Sequence, residues 1–85
     1  MYNILICDDE KDIVSALTIN LTTGGYQVFP AYDGKEALRV LETQDIHLVL
    51  LDIMMPNMDG ITATAKIREF SNVPILLLTA KSETE

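Results

Sequence analysis

The residues able to do chemistry in this chain are acids and a hydroxyl placed where apolar runs stop. Asp8 and Asp9 follow the run Asn3-Ile4-Leu5-Ile6-Cys7, Asp52 terminates the run Ile46 to Leu51, and Thr79 ends the run that begins at Pro74. Carboxylates from separate segments, gathered in one crevice, repel one another and raise some of their own pKa values unless a cation joins them. Mg²⁺ suits such a set, because it takes oxygen ligands, needs only one or two carboxylates and bridges to phosphate oxygens. With charge withdrawn in that way, Asp52 can act as a ligand only, or also as a nucleophile that attacks phosphorus in line. Thr79 is then a candidate hydroxyl donor to a phosphoryl oxygen. The plainer accounts are that Asp8, Asp9 and Glu10 favour a helix N-terminus and that Thr79 reflects strand propensity. They do not explain Asp52, whose position on an apolar strand costs desolvation without an evident partner.

The elements that must position these residues alternate. Asn3–Cys7 reads as a strand buried on both faces, and Ile13, Val14, Leu17 and Leu21 mark a helix stopped by Gly24-Gly25. Tyr26–Phe29 reads as a second strand, which Pro30 consigns to a sheet edge. Asp33 with Glu36 resembles a capping box opening a helix with Ala37, Leu38 and Leu41 on one face. Ile46–Leu51 is the third strand. After a loop, Asp59-Gly60 opens a third helix facing inward through Ala63, Ile67 and Phe70, and Pro74–Thr79 is the fourth strand. Apolar strands alternating with helices predict an α/β fold, a parallel sheet covered on both sides, with ligands at the carboxyl ends of the strands.

Composition narrows the function. The 85 residues suit one domain, with 48% hydrophobic and 22% charged residues. Thirteen acidic against six basic residues leave a net charge of −7, which disfavours nucleic acid and anionic membranes as partners of this segment. No apolar stretch approaches the roughly 20 residues of a membrane span, and the start lacks signal-peptide features, so a cytoplasmic location is expected. The single cysteine, Cys7, has no internal disulfide partner; beside carboxylates it should have a raised pKa and be unreactive. His47 has no second metal ligand at suitable spacing and reads as hydrogen-bonded or solvent-facing. The methionines of Met54–Met58 read as packing residues, and Lys81 as a loop residue. Ser82–Glu85 has capping-box spacing with no helix after it, so the chain is expected to stop in mid-element and leave the fourth strand as an exposed edge prone to self-association.

Taken together, Asp8-Asp9-Glu10, the segment Asp52-Ile-Met-Met-Pro-Asn-Met-Asp-Gly60 and Leu78-Thr79-Ala80 resemble the receiver domains of two-component response regulators along the whole chain. The resemblance implies a flavodoxin-like, doubly wound sheet of order 2-1-3-4-5. It implies Asp52 as phosphoacceptor, an Mg²⁺ site of Asp8, Asp9, Asp52 and the Met54 backbone carbonyl, Thr79 as switch hydroxyl, and Pro56 and Gly60 as setters of loop geometry. The implied donor is the phosphohistidine of a sensor histidine kinase, with small acyl phosphates as substitutes, and the role is a signalling phosphoacceptor that assists its own phosphorylation and dephosphorylation rather than an enzyme. Residues 1–85 would be a partial receiver domain, since the family continues through a fourth helix, a fifth strand and a fifth helix. The last residues look most like regulators with a winged-helix domain, so DNA would be bound only downstream, by a transcriptional regulator. Two other readings are weaker. A dehalogenase-type phosphatase needs D-x-D where this chain has Asp8-Asp9-Glu10, and a never-phosphorylated binding module would have no need of Asp8, Asp9, Asp52 and Thr79 together. A calcium loop around Asp59 lacks its end ligands, Met55 and Lys66 standing there, and no glycine-rich dinucleotide turn follows the first strand.

Overall fold

The computed structural model describes residues 1–78. Within them the order is β1 (Asn3–Cys7), α1 (Lys11–Thr23), β2 (Gln27–Ala31), α2 (Gly34–Thr43), β3 (Leu48–Asp52), α3 (Gly60–Arg68) and β4 (Ile75–Leu78). The strands form one parallel sheet of order β2-β1-β3-β4, the order expected for the described strands. The strand order reverses direction at β1, so a crevice opens beyond the carboxyl ends of β1 and β3.

Side-chain alternation decides which helix each strand residue meets. Ile4 and Ile6 point to the α1 side, where they join Val14 and the half-buried Leu17, Leu21, Leu48 and Leu50. Leu5, Cys7, Val49 and Leu51 point the other way, against Ala37 of α2 and Ala63 and Ile67 of α3. Leu5, Ile6, Val49 and Leu51 have no exposed surface; burying a side chain of this kind stabilises by about 1.5–3 kcal/mol. Asp52 continues the row of Leu48 and Leu50 toward α1. Asp8 continues that of Ile4 and Ile6, its N–H still bound to the Ala31 carbonyl at 3.1 Å.

The turns follow from local chemistry. α1 ends in a Schellman motif: Gly25 takes φ +95°, Tyr26 N–H donates to Leu21 O, and Gly25 N–H donates to Thr22 O. At α2, Asp33 accepts the Glu36 N–H at 2.9 Å, while the Glu36 carboxylate accepts from Tyr32 N–H, one residue earlier than in the standard capping box. Asp59 caps α3 by accepting from Thr62 N–H at 2.7 Å.

Several sequence expectations need correction. β2 runs through Pro30 to Ala31 instead of stopping at Phe29; as an edge strand it needs no donor on its outer side, so the proline is tolerated. β3 begins at Leu48, not Ile46, and contains Asp52. Phe70 lies beyond the end of α3 and is 51% exposed, because the helix stops at Arg68. Ile13 is exposed and leans over the carboxyl-end crevice rather than into the core. β4 is not buried on both faces: Leu76 is 56% exposed, and among the described residues the strand pairs on one side only. The part of that strand at Thr79, the Lys81 loop and the Ser82–Glu85 spacing lie outside the described residues.

Candidate functional site

Three acids meet at the crevice. Asp8 comes from the end of β1, Asp9 from the turn after it and Asp52 from the end of β3, with one carboxylate oxygen of each lying within 4.8 Å of the others. The β1–β3 register, with Cys7 opposite Leu51, brings Asp8 level with Asp52. Asp8 and Asp52 are each only 4% exposed, while Asp9 is at the surface. The cleft above them measures about 440 Å³ and is walled by Glu10, Ile13, Met54 and Leu78.

Backbone donors hold two of the carboxylates. Asp52 Oδ1 accepts from Met54 N–H at 3.1 Å, and Asp8 Oδ1 accepts from Glu10 N–H at 2.9 Å. These bonds fix orientation but leave the charge largely uncompensated. Among the described residues no lysine or arginine pairs with a carboxylate, and the His47 Nε2 contact with Asp45 at 3.7 Å lies at the other end of β3. Burial raises the Asp52 pKa above the ordinary aspartate value, the Met54 N–H opposes that shift, and the Asp8 and Asp9 charges add to it. The cluster is therefore an electrostatic conflict that a bound cation would relieve, and its oxygen-only donor set fits a hard divalent ion.

Glycine makes the approach of α3 to Asp52 feasible. A Cβ at Gly60 would stand 2.4 Å from the Asp52 carbonyl oxygen and 2.8 Å from Ile53 Cα, while Gly60 N–H donates to Ile53 O at 2.9 Å. The loop from Ile53 to Gly60 is thus closed at its base, directly behind the acid. At its tip Met58 N–H donates to Pro56 O at 2.8 Å around Asn57, which has φ +71°.

The fates of the remaining candidates differ. Met54 is 67% exposed at the mouth of the cleft, so it does not fill a packing gap, whereas Met55 is buried with its Sδ 3.6 Å from Cys7 Sγ. Cys7 is fully buried; burial first, then the Asp33, Asp8, Asp52 and Glu36 charges, push its thiol up to about 12. His47 is hydrogen-bonded, its Nδ1 accepting from Asn3 N–H at 2.9 Å. Thr79 lies outside the described residues. Reading the sequence missed Ile13 as a wall of the cleft and the left-handed Asn57, for which the only signal is asparagine's tolerance of that conformation beside a proline.

This fold and acid cluster agree with the relatives of the chain. A family model of the response regulator receiver domain matches residues 4–85. The chain belongs to that family. It is 49% identical over 83 residues, 98% of its length, to an uncharacterized transcriptional regulatory protein, YrkP, of Bacillus subtilis, of which it covers 36%. It is 47% identical over 81 residues, 94% of its length, to the alkaline phosphatase synthesis transcriptional regulatory protein PhoP of the same organism, of which it covers 34%. The chain thus spans about a third of the length of these relatives. Among solved structures, the response regulator TrrA of Thermotoga maritima in complex with Mg(2+)-BeF superposes with a TM-score of 0.90 at 38% identity, covering 96% of this chain and 72% of that one. TrrA in complex with the histidine kinase ThkA aligns at 37% identity with a TM-score of 0.90, covering 100% of this chain and 74% of that one.

Proposed function

We propose that Asp52 accepts a phosphoryl group, with Mg²⁺ held by Asp8, Asp9, Asp52 and the Met54 backbone carbonyl. The observation that carries this reading is the position of Asp52: a carboxylate 4% exposed at the end of an apolar strand, crowded by two further carboxylates. That the TrrA structure contains Mg(2+)-BeF supports the same assignment. When bound, the cation supplies charge neutralisation at the acids and at the incoming phosphoryl oxygens.

The chain's own residues do the positioning. Met54 N–H holds Asp52 Oδ1 and leaves the other carboxylate oxygen free to attack. That oxygen forms a bond to phosphorus as the bond from phosphorus to the donor atom breaks. The products are an aspartyl phosphate and the released donor, which is the imidazole of a sensor kinase, neutral once the nitrogen that leaves phosphorus has taken a proton from water, or the carboxylate of a small acyl phosphate. Attack of water on phosphorus later returns Asp52 and free phosphate. Ile13 and Leu78 wall the cleft with apolar surface and limit the approach of water. Pro56 and Gly60 shape the loop behind the acid, and Thr79 offers its hydroxyl to a phosphoryl oxygen.

In this reading residues 1–85 are the receiver part of a cytoplasmic transcriptional regulator that binds DNA through a domain beyond them and signals without acting on a separate substrate. ThkA bound to TrrA supports a histidine kinase as donor. No helix among the described residues is long and apolar enough to cross a membrane. Among the described residues β4 pairs on one side only, and that edge is a candidate surface for self-association. Incubation with acetyl phosphate and Mg²⁺ tests the central claim: one phosphoryl mass should be gained by the wild type and none by Asp52→Asn. Equal gain in both, or none in either, would sink it.

A further inference from the structure

We propose that Met58 is a positioning residue for the phosphoacceptor site, pinned in place by the absence of a side chain at Gly34. This rests on the assignment of Asp52 above. Gly34 is the first residue of α2 and is buried. Its backbone does not require glycine, since Gly25 is the glycine with positive φ, and glycine is the poorest helix residue after proline. The space does require it. A Cβ at position 34 would stand 2.6 Å from Met58 Sδ and 3.1 Å from both Met58 Cβ and Cγ. The sulfur could swing aside, but Met58 Cβ is fixed to the backbone, so the loop itself would have to retreat by a few tenths of an ångström.

That loop is the one that carries the site. Met58 N–H reaches back to Pro56 O at 2.8 Å, and Asn57 between them sits at φ +71°. This is the shape of a γ-turn of the rare, strained kind, which persists only where its surroundings enforce it. Asn57 is exposed, and α2 supplies the enforcement through the Met58 contact. The other end of the segment is tied by Gly60 N–H to Ile53 O, with Gly60 seated on the Asp52 carbonyl. Held at both ends, the segment between transmits a shift of Met58 to Met54, whose N–H orients Asp52 and whose carbonyl faces the cation in the reading above. Met58 thus gives α2 a direct side-chain contact with the loop that carries Met54.

The test is a double-mutant cycle in the full-length protein, with Mg²⁺ affinity, the rate of phosphorylation by acetyl phosphate, and amide exchange of Met58 and Gly60 as readouts. Met58→Ala should lower affinity and rate by about fivefold, a few tenths of an ångström on a scale of about a hundredfold per ångström, and speed exchange at both amides. Gly34→Ala should do the same. Adding Gly34→Ala to Met58→Ala should cost much less than Gly34→Ala costs the wild type, because of the obstructing side chain only the Cβ, at 3.1 Å, remains. Met58→Leu, which keeps the branch of atoms over Gly34, should restore the wild-type values. Unchanged rate and exchange in Met58→Ala, or fully additive losses in the double variant, would overturn the proposal. If the wild type takes up no phosphoryl group, the Asp52 assignment fails, and the exchange measurements still decide whether Met58 pins the loop.

Discussion

Replacing Asp52 by asparagine should stabilise the metal-free protein at neutral pH, although it removes the residue on which function depends. Asp52 is 4% exposed and lies with Asp8 and Asp9 such that one oxygen of each is within 4.8 Å of the others. At that separation two unit charges repel by about 3.5 kcal/mol at an effective dielectric constant of 20, and by about 0.9 kcal/mol in bulk water. Asp9 faces solvent, so its repulsion sits near the lower figure, and the buried Asp8 sets the upper one. Asparagine keeps the shape and the acceptor for Met54 N–H, so the net gain should be about 1–4 kcal/mol. The folded-state pKa of Asp52 is raised, which means the folded protein holds that proton more tightly than the unfolded chain. Its contribution to stability is therefore present at pH below the unfolded aspartate value and lost as pH rises through the folded one. The variant's advantage should accordingly be present at pH 7 and vanish as pH falls into the acid range. Urea titration in EDTA is the assay, and a gain of 2 kcal/mol moves the midpoint by about 1–2 M for a small domain. Added Mg²⁺ should narrow or reverse the gap, stabilising the wild type by about 1.4 kcal/mol at ten times its dissociation constant. A variant no more stable than wild type in EDTA at pH 7, or an advantage equal at pH 3 and pH 7, would refute the reasoning.

Three other outcomes are expected. Gly60→Ala should lose about 1–3 kcal/mol, read by denaturant titration, because its Cβ meets the fixed backbone of Asp52 and Ile53 at 2.4 and 2.8 Å. Cys7, with its thiol pushed up to about 12 and no surface exposed, should resist iodoacetamide at pH 8 in the folded protein and react in urea; prompt labelling of the native state would contradict the burial. Asp33→Ala should cost about 1 kcal/mol and raise amide exchange in the first turn of α2, since the Glu36 N–H loses its acceptor.

Much of this was legible in the sequence because it depends on local pattern. The runs Asn3–Cys7 and Ile46–Leu51 announce buried strands, though not where the second begins, Asp59-Gly60 announces a helix start, and Pro30 places β2 at an edge. Asp52 stood out for the same reason, as a charge ending a row of apolar residues. Phe70 and Ile13 were misplaced because helical spacing states which residues share a face without stating where the helix stops or what lies opposite. Sequence by itself determined the elements, their parity and the types of the acids. Tertiary structure alone decided that Asp8, Asp9 and Asp52 meet within 4.8 Å, because that distance is set by the pairing of β3 beside β1. It also decided that Gly34 and Gly60 must be glycines, since neither has a positive φ and what excludes a side chain is a neighbour remote in the chain or folded back upon it. Periodicity is a property of a segment, whereas close approach belongs to two segments at once, and packing supplies the second.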